Sequence, residues 1–375
     1  MGDKNHILFF TNKCPHYRVP LFNELGKREE IKFFFTHEDK SPRGLKVKYY
    51  IPQSHYLLGI KKRHFRISLE FLKEIKQNYN IILLPPPDGP FELLNFYLSL
   101  KKAKKKGIKK RILWWNPPNW KDVFIKNVYF YFRMRILKFL FKDVTHFLTY
   151  SNSGLKVFNE VYDIPRNKIF VAPNSLDNLE IKKNSEKFVK NGETNKLKDN
   201  LNLINKRVIV FIGGLHKRKK IKELLEAISR LGKEYFLLII GKGPYKKNLK
   251  KRVRELCLQD QVIFLGEILK DSEKYLNLAD IVVLPGLGGL AINHALVCGK
   301  PVITSLADGT SLDLIEEGKN GYILKENSSK EIYEKIKKTY VLIKENKNLK
   351  KKCQLSVTKK TGINLMIKIF QKTFK

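Results

Sequence analysis

Cysteine is scarce. The four residues Cys14, Cys257, Cys298 and Cys353 stand far apart, with no CxxC pair and no Cys/His cluster. That spacing argues against a disulfide framework and a zinc site, and it fits a reducing compartment. Long apolar runs are missing too. No window of 20 residues is free of charge, so no membrane-spanning helix is expected. The opening MGDKNHILFF has too short an apolar run for a signal peptide, and His6 breaks a myristoylation pattern. A cytoplasmic location is the expectation. Acid is the third shortage: 36 Asp and Glu face 74 Lys and Arg, for a formal net charge of +38. Heat adaptation raises lysine and glutamate together, and here lysine rises alone. Two readings stand: drift in an AT-biased genome, or a polyanionic partner such as an anionic membrane surface, nucleic acid or phosphorylated substrates. No motif for base stacking, zinc finger or helix-turn-helix is present, which sets specific nucleic-acid binding aside.

What remains is ample material for two cores. The chain has 375 residues, 43% of them hydrophobic and 11% aromatic, which suggests two domains. Short apolar runs recur at His6–Thr11, Ile31–Thr36, Ile81–Pro85, Ile112–Trp115, His146–Tyr150 and Lys168–Val171. A second series follows at Val208–Ile212, Tyr235–Ile240, Gln261–Leu265, Ile281–Leu284, Pro301–Ser305 and Tyr322–Leu324. Continuous runs this short suit parallel strands buried on both faces, and the helical patterns between them suggest βα units. The expectation is an α/β chain of two similar doubly wound domains, residues 1–176 and 177–353, followed by a tail helix at 354–375. Residues 178–206 are polar, lack a strand pattern, and read as a connector with at most a short helix.

Two segments stand out in the first half. Residues 101–111 (KKAKKKGIKKR) hold eight basic residues and no acid. Residues 123–142 mix large aromatics with Lys126, Arg133, Arg135, Lys138 and Lys142. A basic helix with a broad aromatic face fits insertion into a membrane interface. A core helix with a solvated basic side fits the same letters.

Three segments of the second half suit a phosphate. The stretch from Ile281 to Ile303 reads strand, glycine turn, helix, with Gly288, Gly289 and Leu290 at the helix start. Glycine lets backbone approach an anion, and first-turn N–H groups point at it. Phe211 to Lys220 ends a strand in Gly213 and Gly214 and then places Arg218 and Lys219 before another helix pattern, where their charges can neutralise a pyrophosphate. Leu238 to Pro244 ends a strand at Gly241 and Gly243. His294 lies one helical turn past Leu290 on the same face and leans toward the helix start.

Taken in order, these pieces resemble a family 4 glycosyltransferase of the GT-B fold. The resemblance covers nearly the whole chain. It rests on His16-Tyr-Arg-Val-Pro-Leu-Phe22, Val171-Ala-Pro-Asn-Ser-Leu-Asp177, Gly213-Gly-Leu with Lys219, and Ile240-Gly-Lys-Gly-Pro244. It continues through Val262-Ile-Phe-Leu-Gly266, His294-Ala-Leu-Val-Cys-Gly-Lys-Pro-Val302 and Glu316-Glu-Gly-Lys-Asn-Gly321. It implies two Rossmann-like domains facing across a cleft, with a nucleotide-sugar donor on the second, an acceptor on the first, and the last helix crossing back to the first. It also implies retention of anomeric configuration without a metal or other cofactor, in keeping with the lack of any Asp-x-Asp triplet. Lys219 matches the family's phosphate lysine. The arginine usual after the first glycine of the turn is Gly214 here, with Arg218 as a compensating charge. The two glutamates usual eight positions apart are Gly286 and His294, which leaves His294 to meet a ribose hydroxyl.

With the resemblance, the expected reaction is transfer of a sugar from a UDP- or GDP-type donor to a lipid-linked or cell-envelope glycan; residues 101–142 add the expectation of a protein peripheral on the inner face of the cell membrane. Arg218, Lys219 and the N–H groups at Gly288–Leu290 would stabilise the leaving diphosphate. His16, Tyr17 and Arg18, at the end of the first strand, are candidates for acceptor or donor-phosphate contacts, though His16-Tyr-Arg also suits a simple helix cap. Asn116, in the Asn-Pro-Pro-Asn-Trp120 segment, is a candidate for the acceptor side; a rigid loop is the plain alternative. The missing glutamates keep two other functions open: a non-catalytic polyanion- or nucleotide-binding protein, and a nucleotide-sugar epimerase.

Overall fold

A computed structural model describes residues 5–11, 14–35, 42–51, 69–117, 128–306 and 309–375. The chain forms two compact units, Met1–Asn174 with Ile363–Lys375, and Ser175–Gly362.

The first unit holds strands β1 (His6–Thr11), β2 (Glu30–Phe35), β3 (Lys48–Tyr50), β4 (Ile81–Leu84), β5 (Lys110–Trp114), β6 (His146–Thr149) and β7 (Ile169–Val171). They form one parallel sheet in the order β3-β2-β1-β4-β5-β6-β7. Its helices are α1 (Val19–Arg28), α2 (Leu69–Glu74), α3 (Pro90–Lys105), α4 (Val128–Phe141), α5 (Asn152–Lys156) and the last helix of the chain, α15 (Ile363–Phe374). Alternation along each strand fills two cores. Ile7, Phe9, Phe33, Leu83 and Trp114 face Phe22, Leu25, Met366 and Phe370. Leu8, Phe10, Phe34, Ile82 and Leu113 face Phe71, Phe96, Leu137 and Phe141. Phenylalanine carries much of this packing, with ring centroids 4.4 Å apart for Phe22–Phe33 and 4.9 Å for Phe9–Phe33.

The second unit holds β8 (Arg207–Ile212), β9 (Tyr235–Ile240), β10 (Val262–Gly266), β11 (Ile281–Leu284), β12 (Val302–Ser305) and β13 (Gly321–Leu324), parallel in the order β10-β9-β8-β11-β12-β13. Its helices are α6 (Asn178–Lys190), α7 (Glu193–Asn200), α8 (Ile221–Ile228), α9 (Lys246–Glu255), α10 (Ser272–Leu278), α11 (Leu290–Val297), α12 (Thr310–Leu314), α13 (Ser329–Glu345) and α14 (Leu349–Thr358). Each strand matches an apolar run of the sequence to within two residues at either end. Among the described residues, the short edge strand β3 alone has no counterpart among those runs.

Two expectations need correction. Residues 178–206 are not a connector. They form α6 and α7, with α6 burying Ile181, Ser185 and Phe188 at helical spacing, and its start is capped by Asp177, whose carboxylate accepts from Glu180 N at 3.0 Å. Their polar composition hid a narrow buried stripe. The tail also divides differently. Leu349, Cys353 and Val357 of α14 belong to the second core, so the chain leaves that unit at Gly362 rather than at 353. Both crossings meet there: Gly362 N donates to Ser175 Oγ at 2.9 Å.

Candidate functional site

In the second sheet β8 lies between β9 and β11, so strand order reverses beside it. Ligands of open α/β sheets bind at the carboxyl ends of strands at such a reversal. Three loops leave the sheet there, after β8, β9 and β11. They are joined so closely that glycine is required. A Cβ on Gly241, at φ +143°, would stand 1.9 Å from Gly213 O. One on Gly243 would meet Leu215 O at 2.3 Å, and one on Gly286 would meet Arg218 O at 2.2 Å. Backbone bonds from Gly213 N to Ile240 O (3.0 Å) and Leu215 N to Lys242 O (2.9 Å) lock the first two loops together.

Lys219 ties in the third. It closes a 3-10 turn (Lys217–Lys219), and its Nζ donates to the carbonyl of Leu287, in the loop that opens α11. The lysine is half-buried, whereas Arg218 is exposed. Gly289 caps α11 with φ +58° and ψ −143°, a backbone that side chains avoid. The first-turn N–H groups of Leu290 and Ala291 have no carbonyl a turn earlier to bond. An ammonium and a helix N-terminus thus share one small space. Gly213, Gly241, Gly243 and Gly286 are brought together here as loop neighbours, with Gly214 against the His216 ring, and Gly288–Leu290 follow directly after Leu287, which Lys219 holds.

His294 sits on the least buried face of α11, with Leu290 and Ala291; Ile292, Asn293, Ala295, Leu296 and Val297 are buried. Its Nε2 lies 3.0 Å from Glu273 Oε1, on α10. Both side chains are largely enclosed, at 15% and 9% exposure. Burial pushes the Glu273 carboxyl up, but the hydrogen bond with His294 and one from its own backbone prevail, and its pKa lies below the usual carboxylate value. The carboxylate that meets His294 comes from a different helix, α10. Sequence reasoning missed Glu273, because no spacing rule links α10 to α11. The backbone of Arg218 and Lys219 fills the space beside Gly286.

In the first unit the strand order reverses between β1 and β4. His16 is exposed in a 3-10 turn (His16–Arg18) that runs into α1. The Arg18 guanidinium lies 4.5 Å from the Trp114 ring centroid and 5.9 Å from that of Tyr17. Asn116 belongs to a separate knot: its Oδ1 accepts from Thr149 Oγ1 at 2.8 Å and Ser151 Oγ at 2.9 Å, and Ser151 caps α5. Residues 118–120 of the same segment lie outside the described residues. A further candidate, absent from the sequence reading, is Asp88, in the loop after β4. It accepts from Trp115 Nε1 at 2.7 Å. The residue as a whole is exposed, yet crowding around its carboxyl raises its pKa against the pull of that bond and of Arg133. Among the described residues no cluster of His, Cys, Asp and Glu suits a metal ion, and no helix is long and apolar enough to cross a membrane.

Residues 192–355 match the family described as glycosyl transferases group 1. The match covers less than half of the chain. An uncharacterized glycosyltransferase of Methanocaldococcus jannaschii is 30% identical over 177 residues, 44% of this chain and 43% of that protein. The N-acetyl-alpha-D-glucosaminyl L-malate synthase of Bacillus anthracis is 27% identical over 124 residues, 32% of each. The matched region thus spans less than half the length of these relatives. Over the whole chain, the crystal structure of Anabaena HepE in complex with UDP superposes with a TM-score of 0.76 at 15% identity, covering 98% of this chain and 99% of that one. The same protein has also been solved with UDP-glucose. The fold is therefore GT-B, with two Rossmann-like doubly wound units in one chain.

Proposed function

We propose that this chain is a retaining glycosyltransferase that takes a nucleoside-diphosphate sugar on its second unit and transfers the sugar to a lipid-linked or cell-envelope glycan. The observation that carries the reading is Lys219, held by Leu287 O between the β8 and β11 loops and beside the start of α11. An ammonium and free helix N–H groups at one point suit the developing charge of a departing diphosphate, and donors preorganised there are worth a few kcal/mol each. The HepE complex with UDP supports a nucleotide in a fold of this shape. No protein nucleophile is assigned; the leaving phosphate takes the acceptor proton, and no metal is needed. Arg18 and Asp88, at the strand ends of the first unit, are the polar groups placed to meet an acceptor.

The second part of the proposal is an anionic membrane surface as the place of work. Tyr131, Phe132 and Phe139 of α4 are 54%, 66% and 69% exposed. With Arg135 and Lys142 they fall at i, i+1, i+4, i+8 and i+11, one outward face of the helix, while Arg133, Leu137, Leu140 and Phe141 point inward. Part of the 101–111 run serves the fold instead: Lys104 pairs with Asp143, and Arg111 donates to Asp143 O and Ile108 O.

The test is thermal stabilisation by UDP, GDP, ADP and CMP against pyrophosphate, at near-physiological salt so that unspecific binding to a +38 chain is screened. Ligand at about 100 times its dissociation constant adds roughly 2.7 kcal/mol. One nucleoside diphosphate acting where pyrophosphate does not supports a base-reading donor site. Equal shifts from all ligands would sink it in favour of a non-catalytic polyanion binder, the reading favoured by the lack of any side chain at Gly286. Mass detection of an acceptor-dependent product separates transfer from epimerisation.

A further inference from the structure

At the amino-terminal edge of the first sheet a pocket of about 370 Å³ opens between the last turn of α4 and the segment 162–168 that leads into β7. Its size falls in the range of small-ligand sites. It lies at the opposite edge from the strand ends that carry Trp114 and Asn116. Phe141 and Tyr162, with ring centroids 5.1 Å apart, form an aromatic wall. Lys138, Lys142 and Lys168 surround it with a single acid, Asp163. Lys138 Nζ already neutralises that acid, at 2.5 Å from Asp163 Oδ2. Lys142 and Lys168 have no carboxylate partner among the described residues. His146 next door registers the excess charge: burial, then Lys110 and Lys168, hold its imidazole below the usual value.

We propose that this pocket binds the phosphate of an anionic glycerophospholipid headgroup. The inference rests on the membrane reading above and makes it specific. Two uncompensated ammonium groups at the mouth of an aromatic-walled pocket suit a phosphodiester, which offers negative oxygens beside an apolar glycerol. Continuity with the outward face of α4 selects a lipid over a free phosphate. Phe139 precedes Lys142 by one helical turn on that face, and Lys142 is itself part of the pocket wall. Rings set into the acyl boundary would hold the pocket at headgroup depth.

The experiment compares the wild type, Lys142→Ala/Lys168→Ala, and Lys105→Ala/Lys106→Ala. The third variant removes the same charge from exposed positions on the same sheet edge. Partition onto phosphatidylglycerol-containing vesicles is measured against pure phosphatidylcholine, alongside thermal shifts with sn-glycerol 3-phosphate and inorganic phosphate. The pocket variant is expected to bind anionic vesicles at least about tenfold more weakly than the control variant, and to lose any shift with glycerol phosphate. Equal losses in the two variants would overturn the pocket and leave the membrane reading standing on diffuse charge. A wild type that ignores vesicles yet responds to glycerol phosphate through Lys142 and Lys168 would overturn both the membrane reading and the lipid, and assign the pocket to a soluble phosphoester.

Discussion

Replacing Gly286 by alanine tests the packing of the β8 and β11 loops most severely. Its added Cβ would lie 2.2 Å from Arg218 O and 2.7 Å from Lys219 Cα, where ordinary contact begins at 3.4 Å. Atoms must therefore move by about 1.2 Å, and both walls are backbone. One is fixed by Lys219 N donating to His216 O at 2.9 Å. The other is fixed by Ser305 Oγ donating to Gly286 O at 2.6 Å. Overpacking of this kind costs about 1–3 kcal/mol, a fall in Tm of roughly 2–12 °C for a unit of this size. The displaced turn carries Lys219, so nucleoside-diphosphate affinity should fall about tenfold or more, the worth of one charge-assisted hydrogen bond. Gly286→Glu should behave no better, because a carboxylate there has no path past the turn. Scanning calorimetry and UDP titration read both effects. A Gly286→Ala protein that melts within about a degree of wild type and binds UDP unchanged would refute the packing of these loops and the position assigned to Lys219.

Other expectations follow from single contacts. Lys219→Ala should weaken UDP binding by about tenfold or more in calorimetric titration and, with the bond to Leu287 O gone, cost about 1–3 kcal/mol in stability; unchanged affinity would remove it from the phosphate site. Glu273→Gln should cost about 1–2 kcal/mol at neutral pH. Because the folded pKa of Glu273 lies below its usual 4.5, the carboxylate's contribution is present above that pH and fades as pH falls through the folded value. The gap between variant and wild type in urea melts should narrow below about pH 4.5, and a gap that widens there contradicts the assigned pair. Asn116→Ala should cost about 1–3 kcal/mol by stranding the Thr149 and Ser151 hydroxyls; loss of acceptor use without loss of stability would restore it as an acceptor contact.

The strands were legible because parallel strands buried on both faces leave continuous apolar runs, and those runs mark β8, β9 and β11 to the residue or nearly so. The glycine turns were legible for a related reason: strand ends followed by glycine are local signals. What depends on distant partners was not. The stripe Ile181, Ser185, Phe188 means little until α10 and α11 are there to receive it. For Asn116 the sequence offers an acceptor contact or a rigid loop, and nothing in it shows Thr149 and Ser151 converging on the amide. Glu273 is invisible in sequence for the same reason, and with it the bond that engages His294 Nε2.

The return of the chain to its first unit has a consequence for synthesis. Met366, Ile367, Phe370 and Phe374 are each at most 2% exposed in the first core, and each contributes about 1.5–3 kcal/mol by leaving water. They emerge from the ribosome only after all of residues 175–362. The second unit has its whole sequence available earlier, although it starts later. The first must wait with Phe9 and Trp114 uncovered on one sheet face, a period in which a chaperone or premature pairing can intervene. On a growing chain, the second unit can therefore mature before the half that was translated first.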